Sequence, residues 1–242
     1  MESTEGWGGA LMSAGNTRRG GQRERGRSRL FVKAVVPVVL VAAAVVGIRW
    51  NGGHDPRTSS ASATFTVARA GVSETGKGNA YRVEVEKGSG LDADRAAAEV
   101  ARVLAAPRGW SHHGERSFRQ VAEGPAGLVI RIATPATTDR ICGKGGLDTH
   151  GEVNCRVGTD VMVNLKRWQQ GSPEFHGPLA DYRALIVNHE VGHWLGHGHE
   201  TCPGRGRPAP AMMQQIYGLK GCVSNAWPYD AKGQYLGGPS VP

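Results

Sequence analysis

The chain has 242 residues, enough for one sizeable domain or two small ones, and its many glycines do not prevent it from building a core. Its formal net charge of +8 invites a nucleic-acid role, but residues 1–60 hold 9 Lys and Arg against 4 Asp and Glu, while residues 61–242 hold 20 against 17. The basicity is mostly a property of the tail, and no Lys/Arg cluster interleaved with aromatics occurs beyond it, so no nucleic-acid partner is expected.

Residues 1–29 are rich in Gly, Arg, Ser and Glu, the composition of a disordered cytoplasmic tail. Arg18, Arg19, Arg23, Arg25, Arg27 and Arg29 lead into a run over residues 30–48 whose only charge is Lys33. As a helix this run spans about 28 Å, one hydrocarbon core. Lys33 can snorkel toward the headgroups, and Trp50 sits where an interfacial aromatic belongs. The flanking arginines favour the cytoplasm, so residues 30–48 are expected to be a transmembrane signal anchor with everything after residue 50 outside. The rival is a cleaved signal peptide and a secreted product, since Ala61, Ser62 and Ala63 form a small-x-small pattern. That pattern lies far past the apolar run, which favours the anchor. Residues 49–61 read as a polar linker and 62–242 as the folded domain.

In the domain, period-2 alternation predicts strands over residues 64–68 and 81–86, and Asp92 or Asp94 can cap a helix running through 96–104 to about Ala106. Strand signals return over residues 117–121, 128–134, 153–157 and 161–168. Pro178 then opens a helix that runs to Gly196, and the Pro/Gly-rich remainder shows one further turn near 214–219. The expected fold class is α+β: a small sheet, a backing helix, a central helix and an irregular C-terminal part. The cysteines number four, an even count that in an exported domain predicts disulfides. Of three pairings, the local one, Cys142 with Cys155 and Cys202 with Cys222, needs the least long-range ordering.

The chemistry lies in the stretch from Asn188 to Glu200, which contains H-E-x-x-H-x-x-G-x-x-H. His189 and His193 lie four apart and share one helix face, while Ala180, Ala184, Val187, Val191 and Leu195 form the apolar back. Two such imidazoles can reach one Zn²⁺, which needs a third ligand. In a continued helix His197 would lie about 12 Å along the axis from His189, too far to converge. A left-handed turn at Gly196 instead brings back His199, which is preferred over His197. Glu190, at the edge of the metal face, is the candidate general base. His112 and His113 read as an exposed loop pair rather than a second metal site. Arg167 and Trp168 read as the end of a strand packed under the central helix.

The motif resembles that of the metzincin clan of zinc peptidases, in which a methionine in a tight turn lies beneath the metal. Residues 210–215, Pro-Ala-Met-Met-Gln-Gln, are similar to this turn, with Met213 the best match and Met212 the alternative. Glu200, directly after the third histidine, is also found in astacin-like members. Where astacins have a tyrosine after the turn, this chain has Gln215, and Tyr217 is the substitute candidate for an oxyanion donor. Over about residues 62–235 the pattern further resembles a group of bacterial membrane-anchored proteins with a metzincin-like domain of unknown function. The resemblance implies a zincin fold with a small mixed sheet and a membrane-anchored extracytoplasmic endopeptidase acting on protein or peptide. The alternative is a catalytically inactive metzincin-fold binding or cell-envelope assembly protein. The retained Glu190 favours the enzyme. Oligomeric state is not legible.

Overall fold

The computed structural model describes residues 62–241, so the expected tail, the 30–48 anchor and the 49–61 linker lie outside the described residues. Among the described residues no helix is long and apolar enough to cross a membrane. In chain order the elements are β1 (Phe65–Val67), β2 (Asn79–Glu86), α1 (Ala93–Ala105), β3 (Phe118–Gln120), β4 (Leu128–Ala133), α2 (Pro135–Lys144), β5 (Cys155–Val157), β6 (Asp160–Asn164), α3 (Leu165–Gln170) and α4 (Leu179–Trp194). Short 3-10 turns lie at His112–Gly114 and Gln215–Tyr217. The class is α+β, as expected.

The six strands form one small mixed sheet in the order β1-β2-β4-β6-β5, with β3 pairing to β2 outside that path. β2, β4 and β6 run parallel, whereas β1 and β5 pair antiparallel at the two ends of the path. Side chains alternate across the pleat, so Tyr81, Val83, Val85, Leu128, Ile130, Ile132, Val161 and Val163 all reach one face. There they meet α1 through Val100, Val103 and Leu104, and α4 through Ala184, Val187 and Val191. The other face is mixed. Met162, Ala133 and the Cys142–Cys155 bridge pack together under α2, and beside them Glu84 takes both Arg82 (2.9 Å) and Arg131 (2.7 Å), while Arg131 also pairs with Asp160.

Several boundaries differ from expectation for local reasons. Asp92, not Asp94, caps α1 by accepting from the Arg95 amide; Asp94 instead accepts from the amides of Arg69 and Ala70. The strand predicted over 161–168 stops at Asn164, whose side chain accepts from the Lys166 amide and starts α3, so Leu165 to Gln170 are helical. Arg167 and Trp168 are nevertheless buried beneath α4, where Arg183 donates to the Trp168 carbonyl at 2.6 Å and lies over the indole. The strand predicted over 153–157 is confined to Cys155–Val157. α2 carries no strong apolar stripe and has no counterpart among the predicted elements. Of the apolar back assigned to the central helix, Ala180 is exposed because it lies in the first turn, outside the core.

Candidate metal centre

α4 begins after Pro178, which occupies the N-cap, and carries His189, Glu190 and His193 in its last two turns. It ends in a Schellman arrangement: the Gly196 amide donates to the His193 carbonyl (3.1 Å) and the His197 amide to the Gly192 carbonyl (2.9 Å). Gly196 has φ of 94°, a conformation a side chain would strain. This reversal returns the chain beneath the helix and brings His199 to the other two histidines. The Nε2 atoms of His189 and His193 are 3.1 Å apart, as are those of His193 and His199. Nitrogens bound tetrahedrally to a zinc ion at about 2.0–2.1 Å stand about 3.4 Å apart, close to this spacing.

Hydrogen bonding fixes the tautomers. His189 Nδ1 lies 2.9 Å from the Ala211 carbonyl and His193 Nδ1 lies 2.9 Å from the His197 carbonyl. A carbonyl only accepts, so each Nδ1 carries the proton and each Nε2 presents a lone pair. Lone pairs aimed at one another across 3.1 Å repel unless a cation lies among them. The donor set therefore fits a zinc ion, and among the described residues this is the one such cluster of histidine, cysteine and carboxylate groups. Burial pushes the His189 pKa down to about 3 and lowers those of His193 and His199, keeping the three imidazoles neutral as ligands must be.

Beside the histidines lies a cavity of about 370 Å³. Tyr182, Leu185 and Ile186 of α4 form one wall, residues 153–156 leading into β5 form another, and residues 213–217 close the third. Glu190 faces this cavity with the histidines, and burial pushes its pKa up to about 8, against a smaller opposing effect of the Arg156 charge. Among the described residues β5 pairs with β6 alone, which leaves its outer edge, on the side of the cavity, without a strand partner there.

The two methionines have separate places. Met213 lines the cavity and ends a turn in which its amide donates to the Pro210 carbonyl (3.0 Å). Met212 is fully buried in the main core, against Gly192 and Trp110; a Cβ at residue 192 would lie 2.3 Å from its sulfur. Gln215 is buried and braces the turn, donating to the carbonyls of Pro210 (3.2 Å) and Asn225 (2.7 Å). Tyr217 stands at the cavity lip and is 66% exposed. Glu200 turns toward the C-terminal segment, accepting from the Tyr235 hydroxyl (2.9 Å) and the Gly238 amide (3.0 Å). His197 stacks on Trp110 at 4.4 Å, outside the metal-facing cluster. His112 pairs with Glu115 and stacks on Tyr229 at 3.9 Å, a packing role.

Sequence reasoning missed four supports of the site. The Ala211 and His197 carbonyls orient His189 and His193, and main-chain acceptors leave no trace in residue type. The Val241 amide donates to the His199 carbonyl at 3.0 Å, a contact 42 positions along the chain that no local pattern announces. Trp110 donates to the Asn188 carbonyl at 2.7 Å and so buttresses the histidine helix from behind.

The family profile described as "Protein of unknown function (DUF3152)" matches residues 51–230. No curated protein and no solved structure gives a significant match.

Proposed function

For this chain, which belongs to the DUF3152 family of proteins of unknown function, we propose the activity of a metzincin-like zinc endopeptidase, anchored by residues 30–48 and acting outside the cytoplasm on protein or peptide. The observation that carries this reading is the convergence of three imidazole Nε2 atoms beside the buried carboxyl of Glu190. His189, His193 and His199 would hold the Zn²⁺. The ion supplies a Lewis acid that polarises a peptide carbonyl and lowers the pKa of water from 15.7 to about 7.

The chain's own residues do the rest. Glu190 takes a proton from the attacking water on its carboxylate and returns it to the departing amine, a shuttle suited to a carboxyl whose burial raises its pKa toward neutrality. Tyr182, Leu185, Ile186 and Met213 exclude water and offer an apolar wall to a side chain next to the scissile bond. The free edge of β5 can pair with an extended substrate through main-chain hydrogen bonds. Tyr217, at the lip, is the candidate donor to the developing oxyanion. Both disulfides support an oxidising, extracytoplasmic location.

The described residues hold their own core and both disulfides, so the fragment 62–242 is suited to the test. Bound zinc and cleavage of a diverse peptide library are measured for the wild type and for Glu190→Ala. We expect stoichiometric zinc in both and cleavage in the wild type alone. A folded, zinc-loaded wild type that cleaves nothing beyond what the variant cleaves supports the binding or envelope-assembly reading instead.

A further inference from the structure

A second cavity, of about 610 Å³, lies between the 69–78 loop, β3 and the C-terminal half of α1. Lys77, Arg116 and Arg119 all line it, together with Ser73, Ser111 and Ser117, and none of its lining residues is Asp or Glu; the Ser73 and Ser111 hydroxyls donate to the Thr75 and Ala106 carbonyls. The nearby carboxylates are engaged elsewhere: Glu74 accepts from the Ala122 amide, Glu115 pairs with His112, and Glu123 pairs with Arg69. None of the lining residues is shared with the histidine cavity.

We propose that this cavity is a binding site for a phosphate group, carried either by a lipid headgroup or by a soluble phosphate ester. Three cations that line one concavity, with Glu115 the carboxylate near Arg116, favour an anion among them. Arg119 is the anchor. Its Nη1 donates to the Ser73 carbonyl at 2.9 Å, which fixes the guanidinium, while its Nε is buried with no hydrogen-bond partner. A guanidinium has five N–H donors, of which the Ser73 carbonyl takes one from Nη1, and a tetrahedral oxyanion accepts from several donors at once. The loop is held in place by the Ser73 amide on the Gln120 carbonyl and the Asn79 amide on the Ser117 carbonyl, both at 2.9 Å. Gly76 has φ of 117°, a conformation a side chain would strain. A cavity of this volume has room for the group to which the phosphate is attached.

The test uses the zinc-loaded fragment 62–242 and two probes: inorganic phosphate, followed by calorimetry and melting temperature, and vesicles of phosphatidylcholine with or without an equal part of phosphatidylglycerol. Phosphate should bind saturably and raise the melting temperature. Arg119→Gln, and separately the surface double variant Lys77→Gln/Arg116→Gln, should weaken binding at least about tenfold. His189→Ala should leave it unchanged, because the histidine cavity is a different one. Selective capture by the phosphatidylglycerol vesicles, lost in the same variants, assigns a lipid headgroup. Phosphate binding without vesicle capture assigns a soluble ester. The proposal is overturned if neither probe binds saturably, if both sets of variants bind like the wild type, or if His189→Ala abolishes binding.

Discussion

His189 and Glu190 are neighbours in sequence, the first half-buried and the second buried, and their desolvation acts on stability with opposite signs. In the metal-free fold the His189 pKa falls from 6.5 to about 3, so its contribution is complete above pH 6.5 and is lost as pH drops toward 3. The Glu190 pKa rises from 4.5 to about 8, so its contribution is complete below pH 4.5 and is lost as pH climbs toward 8. Gln at position 190 keeps the shape and cannot ionise. With a chelator present, Glu190→Gln should therefore melt with the wild type near pH 5 and above it near pH 8, by a margin on the order of a few kcal/mol. Added zinc should narrow that margin, since a dication favours the ionised carboxylate. Melting curves across this range decide it: a gap independent of pH means that the Glu190 carboxyl is well solvated.

Among the elements, the loop that carries residues 210–215 acts on the histidine cluster from outside the helix. Cys202 and Cys222 bridge across it, with Ala209 and Met213 packed against the bridge, and the Ala211 carbonyl within the loop orients His189. Cys202→Ser/Cys222→Ser should cost about 3 kcal/mol of stability for a loop of this length. It should also weaken zinc binding by about tenfold or more, because an outer partner of a ligand is loosened. Competition titration against a zinc indicator checks this, and unchanged affinity in the folded double variant would show that the turn holds without its bridge. The histidine helix, its stop at Gly196 and the local disulfide pairing rest on residue types at fixed spacing, so the sequence displays them. α2 stays hidden because Thr134 and Pro135 give a sound start but few apolar side chains follow. It is held by Glu86, which accepts from the Thr134 amide and the Thr137 hydroxyl, and by the Cys142 bridge. α3 stays hidden because the apolar alternation of β6 runs on past Asn164, where only a side-chain cap turns strand into helix.

At the scale of the whole molecule, residues 235–241 complete the surroundings of the histidine cluster. After leaving the core, residues 235–241 return to the third histidine: Tyr235 and Gly238 donate to Glu200, the Thr201 amide donates to the Pro239 carbonyl, and the Val241 amide donates to the His199 carbonyl. His199 sits past the helix stop, where no regular element fixes it, so these bonds supply the rigidity that α4 gives to His189 and His193. Tyr235 also packs its ring near those of Tyr229, Trp110 and His197, which ties the segment to the core behind the site. Removing residues 235–242 should therefore weaken zinc binding by about 10–100-fold, the usual effect of losing an outer support of a ligand. The main core should survive, since none of its buried residues lies beyond Ala226. Tyr235→Phe, which deletes one hydrogen bond to a carboxylate, should move affinity in the same direction by less. Zinc titration and circular dichroism on both variants separate the outcomes: a folded truncation that binds zinc like the full fragment would mean that the Gly196 turn alone presents His199.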